Sequence, residues 1–199
     1  MVAAEGPAPA LPTTGLVVVT GPSRSGKSRW AEHLAETSGR PVLYVATGPD
    51  RPGDSSWRLR LQRHRRRRPA GWQTLEAGGE LAAELRQLPG HPHSAESPVL
   101  LIDALGTWLA HHLELEGEAW DQRETELLEA LQALALPVLL VCEETGWGVV
   151  PATAIGGLFR DRLGRLERRL VARSRQAWLV VQGRALDLLA LGLPVPDDG

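Results

Sequence analysis

Eight consecutive residues, Gly21-Pro22-Ser23-Arg24-Ser25-Gly26-Lys27-Ser28, match the phosphate-binding spacing G-x-x-x-x-G-K-[ST] without a gap. No other stretch constrains the fold as much, because the motif works only between a buried strand and the first turn of a helix. Leu16-Val17-Val18-Val19-Thr20 is an apolar, β-branched run of strand length, and Arg29 to Ser38 reads as a helix stopping at Gly39. The two glycines let backbone N–H groups turn inward around phosphates, and the helix N-terminus adds partial positive charge at the same point. Lys27 would reach the β- and γ-phosphates, and the Ser28 hydroxyl would ligate Mg²⁺. Of 22 basic residues Lys27 is the only lysine. A compact ammonium on a flexible stem suits a crowded nest in a way that a planar guanidinium does not.

Behind this unit the apolar runs recur at helix-sized intervals. Pro41 to Thr47, Ser97 to Asp103, Pro137 to Glu143 and Ala177 to Gln182 read as strands, and Glu80 to Leu88, Leu105 to Leu113 and Asp121 to Leu134 as helices. Between Ala152 and Ser174 the apolar residues Ile155, Leu158, Phe159, Leu163, Leu166 and Leu170 mark one amphipathic helix, or two broken at the glycines. Ser55 to Arg68 reads as a short, very basic helix, and Leu186 to Val195 as an edge strand or helix. This alternation predicts an α/β fold, with one domain over residues 15–199 built on a mostly parallel sheet covered by helices on both faces, behind a disordered tail over 1–14.

Such sheets bind ligands beyond the carboxyl ends of their strands. Gly21 to Ser28, Gly48, Asp103 and Glu143 to Gly148 all fall there. Asp103 closes an apolar run in the manner of a Walker B strand, which makes it a second Mg²⁺ contact or a plain strand-end cap. Glu144 is read as a general base, a hydrogen-bond acceptor for substrate, or a helix cap. Trp147, in a glycine-flanked loop, is the tryptophan best placed to meet a ligand.

The formal net charge is −2, so nothing global calls for nucleic acid or an anionic membrane. Arg65 to Arg68 form a local basic run that serves as a solvated face or a phosphate clamp; without interleaved aromatic residues, nucleic acid is the weaker reading. Cys142 is the single cysteine, which excludes an internal disulfide and any multi-cysteine metal site and suits the cytoplasm. His91, His93, His111 and His112 lack acidic or thiol partners at ligand spacing and read as surface residues. Met1 to Thr14, rich in Ala, Pro and Gly, has no basic n-region and no sustained apolar core, so it reads as neither a signal peptide nor a membrane span.

Several further matches accompany the loop: Tyr44-Val45-Ala46-Thr47; Arg60-Leu61 with His64, Arg68-Pro69, Trp72, Thr74 and Glu76; Asp103 with Trp108-Leu109; Glu144 with Gly146 and Gly148-Val149-Val150-Pro151; and Phe159-Arg160-Asp161 with Gly164. In this combination the chain resembles the bifunctional adenosylcobinamide kinase / adenosylcobinamide-phosphate guanylyltransferase family of cobalamin biosynthesis, over Leu16 to Gly183. The resemblance implies a RecA-like P-loop fold and a trimer. It implies phosphorylation of the adenosylcobinamide hydroxyl by ATP or GTP, and then transfer of GMP from GTP through a covalent histidine to give adenosylcobinamide-GDP. His64 stands at the nucleophile's position, with Lys27 and Glu144 as catalytic partners. Arg68, Glu76 and Asp103 join the loop in binding nucleotide, and Ser28 and Asp103 hold Mg²⁺. The chain departs from the family's usual residues at Asp54 to Trp57, Ala104, His111, Glu143 and Glu167-Arg168.

Overall fold

A computed structural model describes residues 9–48, 53, 59, 62, 65–66, 68–88, 97–148 and 150–196. In chain order these form β1 Gly15–Thr20, α1 Lys27–Thr37, β2 Val42–Ala46, β3 Gln73–Glu76, a 3₁₀ turn Gly78–Glu80, α2 Leu81–Gln87, β4 Val99–Asp103 and α3 Leu105–Ala110. There follow α4 Gly117–Ala133, β5 Pro137–Val141, α5 Ala154–Val171, β6 Gln176–Val181, β7 Arg184–Asp187 and α6 Leu188–Leu191. The expected basic helix falls mostly outside the described residues, as do His64, His91 and His93. Leu59, Gln62, Arg65 and Arg66 are helical.

Among the described residues, seven strands make one sheet in the order β3-β2-β4-β5-β1-β6-β7. Every neighbouring pair is parallel except β6 with β7. The mostly parallel, helix-covered sheet of a RecA-like P-loop fold is therefore present. The strand that feeds the loop, β1, is separated from the Asp103 strand, β4, by β5.

The two faces follow from the alternation of side chains along a strand. Leu16 and Val18 of β1, Leu100 and Ile102 of β4, and Val138 and Leu140 of β5 point into one apolar cluster with Leu81 and Leu85 of α2, Trp108 of α3, Leu127 of α4 and Leu166 of α5. The intervening residues, Val17 and Val19, Val99 and Leu101, and Leu139 and Val141, pack on the other face with Leu34 and Ala35 of α1. Both faces are covered, and this is why the strands read as continuous apolar runs rather than as alternating ones.

Two departures from the sequence reading have simple causes. β3 carries Gln73-Thr74-Leu75-Glu76, mostly exposed on the sheet edge, so it lacks the apolar run that marks the other strands. α4 begins at Gly117, ahead of the expected Asp121, with Glu116 at its N-cap and no side-chain cap to announce it. Of the two readings left open between Ala152 and Ser174, the single helix is the one observed: α5 runs unbroken through Gly156, Gly157 and Gly164, with the Thr153 hydroxyl accepting a hydrogen bond from Gly156 N. The segment before β1 is engaged where it is described: Leu11 packs on the α1 face, and Gln176 Nε2 donates to the Ala10 carbonyl at 2.9 Å. Among the described residues no helix is long and apolar enough to cross a membrane.

Trp108 anchors the larger cluster: it is fully buried, its Nε1 donates to Gly79 O at 3.2 Å, and it meets the His112 ring edge-on at 4.9 Å. Trp108→Ala should lower the unfolding free energy by about 3–5 kcal/mol, read from denaturant melts. Trp108→Phe, which keeps most of the ring and loses the Gly79 bond, should cost less.

Candidate active site

The phosphate-binding loop is held by its backbone. At Gly21 φ is 153°, and a Cβ there would lie 2.2 Å from the Val180 carbonyl oxygen and 2.8 Å from Ser25 Oγ, so no side chain fits. Gly26 has φ 104° and forms the N-cap of α1. Glu144 N donates to Gly21 O at 3.0 Å and Gly183 N to Ser25 O at 3.2 Å, so the loop is tied to the segments following β5 and β6. The buried Lys27 turns its Nζ toward Pro22 O at 3.4 Å, and Ser25 Oγ accepts from Lys27 N at 3.3 Å. α1 has no side-chain cap and no acidic residue in its first turn. Beyond the Lys27 N–H, its leading N–H groups and its dipole are thus left to an anion.

Carboxylates gather at the neighbouring strand ends. Asp103 closes β4 and accepts a 3.0 Å hydrogen bond from the Tyr44 hydroxyl. Glu143, beside it after β5, accepts from Gly106 N at 2.7 Å; burial pushes its pKa up and the charge of Asp103 pushes further, while the Gly106 bond pulls it down. A Cβ at Gly106 would stand 2.5 Å from Glu143 Oε2, so a side chain there would displace the Glu143 carboxylate. The Glu144 carboxylate turns back on its own loop and accepts from Gly146 N at 2.6 Å, the geometry of a hydrogen-bonded turn. Glu167 on α5 has its pKa raised to about 7, chiefly by burial and then by Glu144 and Glu143. The Thr20 hydroxyl lies near enough to Glu167 to favour its ionised form, without forming a hydrogen bond of good geometry. Sequence reasoning put the weight on Glu144 and passed over Glu143 and Glu167 as working groups; the one available signal was that these two acids stand where the chain departs from the motifs it otherwise matches.

Among the described residues no three His, Cys, Asp or Glu side chains converge as a metal site. The donor set on offer is a hydroxyl, Ser28, and a carboxylate, Asp103. Both are hard oxygen ligands, and so few suit a cation that keeps waters and takes substrate phosphates for the rest, as Mg²⁺ does. His111 Nε2 lies 3.2 Å from Thr47 O, and His112 Nε2 lies 2.9 Å from Gly79 O, so both imidazoles are engaged with backbone. Burial lowers the His112 pKa. The hydroxyls of Thr47 and Thr107 both bond to Ala104 O, at 2.6 and 2.8 Å, steadying the chain just past Asp103. Trp147 is 59% exposed on the loop after β5.

A second group stands at the β3 edge. Arg65 pairs with Glu76 at 3.3 Å, Arg68 donates to Thr74 Oγ1 at 3.4 Å, and the Arg68 guanidinium lies 3.3 Å from the centroid of the Tyr44 ring. Arg65, Arg68, Thr74 and Glu76, with Pro69 and Trp72, line a cavity of about 280 Å³. The expected nucleotide residues therefore fall into two groups. Gly21 to Ser28 and Glu144 surround the end of β1, Arg68 and Glu76 share the β3 edge, and Asp103 stands on β4 between them in the sheet order.

Residues 17–188 match the family model described as cobinamide kinase / cobinamide phosphate guanyltransferase. The chain belongs to this family. It is 37% identical over 172 residues to a bifunctional adenosylcobalamin biosynthesis protein CobP of Pseudomonas aeruginosa, covering 86% of this chain and 95% of that one. It is 32% identical to the CobU protein of the same description from Escherichia coli, over 84% of this chain and 96% of that one. A solved structure from Pyrococcus horikoshii, 6% identical, gives a TM-score of 0.52 over 91% of this chain and 88% of that one, a likeness of fold alone.

The raised Glu167 carboxyl carries a stability consequence. Its folded pKa, about 7, lies above the ordinary 4.5, so the unfolded chain ionises first as pH rises and the fold loses stability between those values. Glu167→Gln should be more stable than the parent at pH 8, with the difference closing as pH falls through 7 toward 4.5. Denaturant midpoints across this range measure it.

Proposed function

We propose that the chain phosphorylates adenosylcobinamide with ATP or GTP and then transfers GMP from GTP to the resulting phosphate through a guanylyl-histidine at His64, giving adenosylcobinamide-GDP. The observation that carries this reading is the pairing, in a member of this family, of a complete phosphate-binding loop at the end of β1 with a separate arginine-lined cavity at the β3 edge that includes Arg65, the neighbour of His64 in sequence.

In the first reaction the N-terminal amides of α1 and the Lys27 ammonium take the triphosphate, and Lys27 follows the negative charge that develops on the transferred group. Ser28 and Asp103 would hold Mg²⁺, which when bound neutralises phosphate charge. Glu144, beside the loop, serves as acceptor or base for the corrinoid hydroxyl.

In the second reaction a neutral His64 nitrogen attacks the α-phosphorus of GTP. An N–P bond forms, the P–O bond to pyrophosphate breaks, and the phosphoramidate keeps the guanylyl group activated after pyrophosphate leaves. A phosphate oxygen of the corrinoid then attacks the same phosphorus and releases the histidine. Arg68 offers its guanidinium to the phosphates and Glu76 binds the nucleotide. Assembly as a trimer and a cytoplasmic location belong to the same reading.

Incubation with GTP should add one GMP to the protein, an adduct stable in alkali, labile in acid and absent from His64→Asn. An adduct that survives in that variant would assign the nucleophile elsewhere. Lys27→Ala should lower kcat/KM for corrinoid phosphorylation by about a hundredfold or more. Lys27→Arg should not restore it, because a planar fork does not fit where the ammonium sits.

A further inference from the structure

We propose that Tyr44 is a positioning residue that joins the β3-edge group to Asp103, holding Arg68 on its ring face and Asp103 on its hydroxyl. The inference rests on the reading of Arg68 as nucleotide-binding and Asp103 as cation-binding. Tyr44 lies in β2, paired with Leu101 of β4 on one side and Thr74 of β3 on the other. The Arg68 guanidinium packs 3.3 Å from its ring centroid and also donates to Thr74, so the arginine rests on a β2–β3 pair. At the other end the hydroxyl donates to Asp103 Oδ2 at 3.0 Å.

A phenol ring is suited to both duties. Its face is electron-rich and attracts a planar cation, while its O–H donates to an anion. A phenol ordinarily loses its proton only at about pH 10, so the hydroxyl keeps its proton as a donor at neutral pH. Tyr44 therefore fixes the Asp103 carboxylate in one orientation and gives Arg68 a platform, and a shift in either is felt at the other. A purely structural role predicts something different. The ring belongs to the apolar cluster on the α1 face, and that packing would be served equally well by phenylalanine.

The test separates hydroxyl from ring. In Tyr44→Phe the Mg²⁺ concentration that half-saturates the metal-dependent part of GTP binding, read by calorimetry on the full chain, should rise about three- to tenfold. GTP affinity in EDTA should not change. In Tyr44→Leu, GTP affinity in EDTA should also fall, by about threefold. In an Asp103→Asn background, Tyr44→Phe should have no further effect on the metal dependence. Because Tyr44 is the only tyrosine in the chain, ¹³C at its hydroxyl-bearing carbon gives one resonance in the unmutated protein, which should move when Mg²⁺ joins bound GTP. This measurement decides the matter should the variants fail to fold. A Mg²⁺ dependence unchanged in Tyr44→Phe, or a resonance indifferent to the metal, overturns the proposal. Absence of the GMP adduct with these effects intact would instead sink the guanylyltransferase reading and leave the link standing.

Discussion

The contact on which the rest of the site depends is the approach of Gly21 to the carbonyl of Val180, where there is no space for a β-carbon. It fixes how tightly the chain turns as it leaves β1. The turn in turn decides that α1 begins at Lys27 with its amides pointing back over the strand ends. β1 is flanked by β5 and β6, both parallel to it, and the segments beyond both hold the loop through Glu144 N and Gly183 N. The loop is thus shaped by backbone on either side. An anion arriving there meets donors that need little reorganisation.

The same edge carries an electrostatic tension. Burial raises both Glu143 and Glu167, with Asp103 adding to it at Glu143 and Glu144 and Glu143 adding to it at Glu167, and the buried Lys27 is the neighbouring ammonium that offsets this at Glu143. Each carboxylate survives by capturing donors: Asp103 takes the Tyr44 hydroxyl and Glu143 the Gly106 amide. A triphosphate adds still more negative charge, which is the physical ground for the Mg²⁺ in the proposed reaction. Such arrangements cost stability and are kept where chemistry needs them.

The parallel core was legible because strands covered on both faces are apolar throughout, and the loop was legible because its glycines, lysine and serine are each dictated by phosphate geometry. The edge was not. β3 has no periodic apolar signal, since one side of it meets solvent, and only its register with β2 makes it a strand. At the end of β5 two adjacent glutamates presented the same chemistry to the reader. Backbone direction decides that Glu143 takes the Gly106 amide while Glu144 folds onto Gly146, and no residue pattern announces which does which. The Tyr44 link was hidden for a related reason: its partners stand on a separate strand and a separate loop, brought together only by the sheet order.

The way the chain uses its cations follows from their shapes. A guanidinium is planar and weakly hydrated, so it can stack on a ring while its edge donates to several acceptors. Arg162 does this in the interior, lying 4.5 Å from the Trp120 ring centroid while donating to the carbonyls of His112 and Leu113 where the chain leaves α3. Arg68 does it at the site, stacked on Tyr44 and bonded to Thr74. An ammonium cannot hold either place, having no face to stack. Within the phosphate nest the requirement reverses, because the walls are backbone amides and carbonyls at hydrogen-bond distance and only a compact charge on a thin stem can enter. A chain that employs arginine for every other basic position therefore keeps lysine at 27, and the exception marks the one cation whose surroundings leave room for a point charge and nothing wider.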